Sequence, residues 1–249
     1  MDLGVGSFVF SMGIVSALPL LRSPSQRFKP LRAQLLRDAR RSVPLLLLGA
    51  IRVVMVKGVE YPEHVSEYGV HWNFFVTLAL LPFFGTLCRP LTKVARFSVL
   101  GLCLSCAHQL TLSFTDFGLW TISNSIPRDT FMTQNKEGIV SFPGYLSIFL
   151  LGLDLGHYVL PRDPYLAYRR PSKSRKQEKT DKLGMLLISF SILWWAAYYL
   201  DTLFLGGQVS RRLVSFSPSF YVDLNSIDGS LTACFLINFL RPTYPMFSG

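Results

Sequence analysis

Glu67 and His71 stand four residues apart in the stretch "EYGVHWNFF", residues 67–75. A carboxylate one helical turn before an imidazole is a spacing that lets the acid orient the ring. Histidine, with an ordinary pKa of about 6.5, is the side chain best suited to take and return a proton near neutral pH. The pair also has a structural reading, because a histidine at the start of an apolar run serves equally as an interfacial anchor or a helix-cap partner. Further polar groups are set among apolar sequence in the same way. Asp2 precedes "GVGSF"; "QNKEGI", residues 134–139, carries Asn135, Glu137 and Gly138; "VSRRL", residues 209–213, carries Arg211 and Arg212. Each has a plain alternative: Asp2 as a solvated group near the terminus, Asn135 to Gly138 as a capping turn, and the arginines as interfacial side chains that reach toward water.

The elements that must position these groups are hydrophobic. The 249 residues are 50% hydrophobic and only 16% charged, where a soluble domain carries roughly 25% charged residues. Apolar runs approaching the roughly 20-residue length that crosses a bilayer recur along the chain. They lie near 3–21, 43–57, 70–87, 94–113, 139–160 and 183–205, which predicts an all-α fold, a polytopic transmembrane bundle of about six spanning helices. The loops alternate in charge. Loop 22–42 holds Arg22, Arg27, Lys29, Arg32, Arg37, Arg40 and Arg41 against Asp38, whereas loop 58–69 holds Glu60, Glu63 and Glu67. Loop 88–93 is basic again, 114–138 is balanced, and 161–182 is a strongly basic linker. The positive-inside rule then places the N-terminus and the four polar motifs on the non-cytoplasmic face and the 161–182 linker in the cytoplasm. The net charge of +10 sits in clusters between apolar runs, so it reads as a topology signal and not as a nucleic-acid surface.

Cys88, Cys103, Cys106 and Cys234 give neither a disulfide framework nor a metal-ligand pattern, and they read as small buried hydrophobes. No metal site is expected. Gly152 and Gly156 form a G-x-x-x-G that marks helix contact. Arg52, His108, Asp154 and His157 are costly in hydrocarbon unless paired or facing a cavity, and Asp154 and His157 share a helix face.

Four strings taken together, "MDLGVGSFVFS", "EYGVHWNFF", "NKEGI" and "VSRR", resemble the inositol acyltransferase of glycosylphosphatidylinositol (GPI) anchor synthesis, the PIG-W family. The resemblance covers residues 1–213; residues 214–249 form a divergent C-terminal tail, and the chain resembles a truncated or alternative product covering the middle of the family sequence. The resemblance implies an endoplasmic-reticulum membrane enzyme, multi-pass, with its polar motifs facing the lumen. It implies an O-acyltransferase that moves a fatty acyl group from acyl-CoA to the inositol of glucosaminyl-phosphatidylinositol. No cofactor is expected, acyl-CoA being the donor substrate. A further alternative is that the shortened chain is an inactive fragment of the enzyme. For such a reaction His71 would act as base with Glu67 orienting it, and Asp2 is an equal candidate. Asn135 and the backbone near Gly138, with Glu137, would bind substrate and polarise the thioester carbonyl, and Arg211 and Arg212 would hold phosphates. The rival reading is a non-enzymatic transporter or lipid-binding membrane protein with Arg52, Asp154 and His157 along a polar path.

Overall fold

A computed structural model describes residues 3–22, 30–58, 68–123 and 127–160, together with residues 185, 188 and 192. Asp2, Glu67, Arg211, Arg212, the 161–182 linker, most of the 183–205 segment and the 214–249 tail lie outside the described residues. Every element among the described residues is helical. They are α1 (Leu3–Ser16), α2 (Leu18–Arg22), α3 (Leu31–Gly58), α4 (Phe74–Cys88) followed by a 3₁₀ turn (Arg89–Lys93), α5 (Phe97–Phe114), α6 (Phe117–Ile122), α7 (Phe131–Gln134) and α8 (Lys136–Val159).

Two of these segments are long and apolar enough to cross a membrane, Phe74–Lys93 and Lys136–Val159, and two shorter apolar helices cover Val5–Leu21 and Phe97–Leu112. Of the most apolar window, 83% is buried in α8 against 28% in Phe74–Lys93. The helix α8 is therefore the axis on which α1, α4 and α5 pack, while α3 packs on α4. Its two glycines let α1 approach backbone to backbone, since a Cβ built on Gly152 would stand 2.2 Å from the Phe10 carbonyl oxygen and one on Gly156 would stand 2.6 Å from that of Ile14. Such close approach through small residues is how helices associate where no hydrophobic effect separates protein from lipid.

Paired contacts fix the directions. Phe10 meets Gly152 and Ile14 meets Gly156, so α1 runs parallel to α8. Trp72 covers Gly138 and Phe149 covers Gly85, so α4 runs parallel to it as well. Phe97 stacks on His157 at 6.0 Å, and Gly101 faces the Ser147 carbonyl, so α5 is antiparallel. The helix α3 is antiparallel to α4, pinned by Asn73 Nδ2 donating to the Gly49 carbonyl (2.8 Å), Ser42 Oγ to Ala79 O (2.5 Å) and Thr86 Oγ1 to Asp38 Oδ2 (2.6 Å). The starts of α1, α4 and α8 consequently share one end of the bundle. Arg37, Arg40, Arg41, Arg89, Lys93 and Arg96 gather at the other.

Two expectations change here. The helix α3 begins at Leu31, not near 43, so most of the basic 22–42 stretch is helix and not loop. The sequence "LRAQLLRDARR" consists almost wholly of strong helix formers, and Gln34, Asp38 and the following Ser42 turn toward neighbours in spite of the surrounding charge. Cys103 and Cys106, expected to be buried, are exposed. They lie on the flank of α5 turned away from α8, where an apolar thiol faces outward as readily as inward.

Candidate functional site at the shared helix starts

The chain between Tyr68 and Asn73 is not helical. Gly69 has φ +110°, a left-handed value that glycine alone adopts without penalty. It turns the chain back against the start of α8, where Val70 N donates to Gln134 O at 2.9 Å. Asn73 then opens α4 as its N-cap, its side-chain oxygen accepting from Val76 N at 3.1 Å. Residues 69–73 are thus not helical, a left-handed glycine and a cap lying there, and Glu67 lies outside the described residues. His71 is exposed at the crest of this turn.

What holds the turn is Asn135. It is fully buried, and its Oδ1 accepts from both His71 N and Trp72 N at 2.8 Å. Its Nδ2 donates to Phe131 O at 3.0 Å. Two backbone donors on one amide atom require that atom to be the oxygen, which settles the orientation of the side chain. Beside it, Trp72 lies over Gly138, where an added Cβ would stand 2.4 Å from the ring, and its Nε1 donates to Thr77 Oγ1 at 2.9 Å. Phe142 meets both Trp72 (6.4 Å between centroids) and Phe84 (5.0 Å), extending an aromatic ladder into the bundle.

The charged residues of the same motif also turn inward. Glu137, 3% exposed, receives both arms of the Arg128 guanidinium, at 2.6 and 3.3 Å. Lys136, 1% exposed, donates from Nζ to the carbonyls of Trp120 (3.0 Å) and Ser123 (2.6 Å) and lies 5.4 Å from the Trp120 ring centroid. It thereby satisfies carbonyls at the end of α6 that have no partner within their own helix. Glu137→Gln removes the charge from a hydrogen-bonded ion pair, which costs about 2 kcal/mol. For a chain of this size that lowers the melting temperature by about 4–8 °C, measurable by a thermal scan in detergent, and Arg128→Gln should match it.

Comparison with known proteins places the chain. The sequence matches the GWT1 family over residues 1–245. The chain belongs to the GWT1 family. The GPI-anchored wall transfer protein 1 of Cryptococcus neoformans var. grubii is 42% identical over 266 aligned positions, which take in 98% of this chain and 43% of that protein. The proteins of the same name from Aspergillus fumigatus and Candida albicans are 40% and 36% identical, covering 86% and 87% of this chain and 43% and 48% of theirs. The chain therefore spans less than half the length of these GWT1 relatives. The GWT1 match runs past Leu213, where the motif resemblance stopped.

Within this GWT1 chain, the structure brings His71, Asn135, Glu137 and Gly138 to one end of the bundle, while Asp2, Glu67, Arg211 and Arg212 lie outside the described residues. Of the four that are described, only His71 is exposed. Asp154 and His157 do share a flank of α8, but His157 Nδ1 contacts the carbonyl of Leu153 at 2.7 Å and its ring stacks on Phe97, so its surroundings are those of a packing residue. Asn73, Trp72, Lys136 and Arg128 are participants that the sequence reading passed over. Asn73 was detectable, because an asparagine directly before "FFVTLALL" is an N-cap signal. The pairing of Arg128 with Glu137 had no comparable signal.

Proposed function

We propose that this GWT1-family chain acts in GPI-anchor biosynthesis as the inositol acyltransferase, of the kind the PIG-W resemblance implies. Acyl-CoA is the donor and glucosaminyl-phosphatidylinositol the acceptor, at the lumenal face of the endoplasmic-reticulum membrane. The observation that carries the reading is the exposed imidazole of His71 on a turn whose amides are clamped by the buried Asn135. A general base works only when it is held within hydrogen-bond reach of the proton it removes, and this clamp supplies the rigidity. His71 takes the proton of an inositol hydroxyl; the oxygen attacks the thioester carbonyl; the carbon–sulfur bond breaks, and CoA leaves as a thiolate that recovers the proton. Asp2 is retained as an alternative base. Asn135, Glu137 and Gly138 act in this reading as positioning residues, since their side-chain atoms or surfaces are already occupied within the protein. The position at the helix starts suits the substrates, which keep the inositol wet and the acyl chain in hydrocarbon.

General-base removal lowers rates by about 10²–10⁴. His71→Ala, introduced into a full-length GWT1 relative and expressed in cells lacking the activity, should lower acyl-inositol lipid in microsomes by at least about 100-fold. Undiminished product rejects His71 as the base.

A further inference from the structure

At the end of the bundle opposite His71 there is a cavity of about 160 Å³. Arg37, Arg41 and Arg89 line it together with Leu45, Phe149 and Leu153. Phe149 is 1% exposed and Leu153 4%, so the inner wall is hydrocarbon, while Arg41 is exposed and marks the outer rim. Three arginines and one carboxylate, that of Asp38, line it, and the Arg89 guanidinium donates to Gln34 Oε1. That carboxylate is already engaged, its Oδ2 accepting from Thr86 Oγ1 and its Oδ1 standing 3.7 Å from Arg37 Nε. The Nε and Nη1 of Arg37 are buried and make no hydrogen bond among the described residues. A buried guanidinium donor without an acceptor is uncommon in folded proteins and calls for an explanation.

We infer that this cavity binds an anionic phospholipid, with its phosphate on Arg37 and its first acyl carbons against Phe149 and Leu153. A phosphodiester presents the paired oxygens that the arginine fork matches. The cavity of about 160 Å³ has room for a phosphate and the first methylenes of an acyl chain. The order of the lining also selects the ligand. In a phospholipid the acyl chain follows the phosphate by one glycerol unit, as the apolar wall here follows the arginines. In acyl-CoA a long amide-bearing arm separates the two, so its polar atoms would lie against hydrocarbon. Basic groups at a membrane surface attract anionic lipid in any case, but surface attraction alone leaves no donors buried. The inference goes beyond the proposed acyl transfer and does not depend on it.

The test uses the full chain in an uncharged maltoside detergent, with ligand retention read by native mass spectrometry. Dioctanoyl phosphatidylglycerol should bind at least tenfold more tightly than dioctanoylglycerol, which lacks the phosphate. Arg37→Gln should remove that preference. Arg37→Lys, which keeps the charge and loses the fork, should retain part of it. Arg41→Gln, at an exposed position that does not threaten folding, should weaken binding two- to fivefold and carries the test if Arg37→Gln does not fold. Equal binding of the two lipids overturns the inference, as does phosphatidylglycerol binding unchanged in both glutamine variants. Arginine-dependent retention of palmitoyl-CoA with no retention of phosphatidylglycerol overturns it too. Because the readout is binding, its result stands whether acyl transfer fails or succeeds.

Discussion

Asn135→Ala is expected to release the turn that carries His71 while leaving the rest of the bundle folded. The substitution strands the amides of His71 and Trp72, whereas the carbonyl of Phe131 keeps the backbone N–H of residue 135 as a donor at 3.2 Å. Each unpaired buried group costs about 1–3 kcal/mol. Part of that is recovered as water enters at the His71 side, so a net loss of about 3 kcal/mol is expected. Local opening of the turn should then rise roughly 100-fold, because about 1.4 kcal/mol corresponds to a factor of ten. Hydrogen exchange read by mass spectrometry on peptides covering residues 68–73 measures this directly. Asn135→Asp keeps an oxygen for the two amides and gives up only the donor to Phe131, so it should restore most of the protection. Unchanged exchange in the alanine variant would show that the turn is held by something other than Asn135.

Gly152→Leu should have the largest effect on stability among single substitutions in the described bundle. The atom nearest an added Cβ is a backbone oxygen, Phe10 O at 2.2 Å, and the reciprocal position on α1, Gly13, would meet Phe149 O at 2.3 Å. Neither oxygen can rotate away as a side chain would, so α1 and α8 must separate along their length. Overpacking commonly costs 1–3 kcal/mol when side chains can adjust; with backbone on both sides about 4 kcal/mol is expected, or roughly 8–16 °C in melting temperature for a chain of this size. Gly152→Ala should fall between it and the parent. Val94→Ala, at a side chain 92% exposed, should melt with the parent. A Gly152→Leu protein that also melted with the parent would mean that α1 and α8 do not touch as described.

Much of the helical framework was legible in the order of residues. Apolar runs gave the positions of α1, α4, α5 and α8, because a helix that faces hydrocarbon or a tight core has few polar side chains to obscure its extent. Gly152 and Gly156 announced a close contact that the structure contains. The helix α3 was only half visible, since its first turns are charged on the outside and its inward residues, Gln34, Asp38 and Ser42, find polar partners instead of apolar ones. The site was legible as a set of unusual residues but not as an arrangement. Asn135 and the amides that it holds are more than sixty residues apart, and nothing in either stretch alone specifies that pairing. Proximity in sequence suggested that Glu67 orients His71. Glu67 lies outside the described residues, and within them the rigidity of the His71 turn comes from a distant asparagine.

The parallel pairing of α1 with α8 has a consequence for how the protein is made. Parallel neighbours cannot zip together as a hairpin, so the small-residue seam around Gly13 stays without its mate until synthesis has passed Gly152. At about 5–20 residues per second, that interval is on the order of ten seconds. During it, α1 waits in the translocation machinery or in lipid with an exposed strip of main chain. The last described helix to emerge is therefore the one that closes the assembly, and a ribosome halted before Gly152 would leave the first helix undocked.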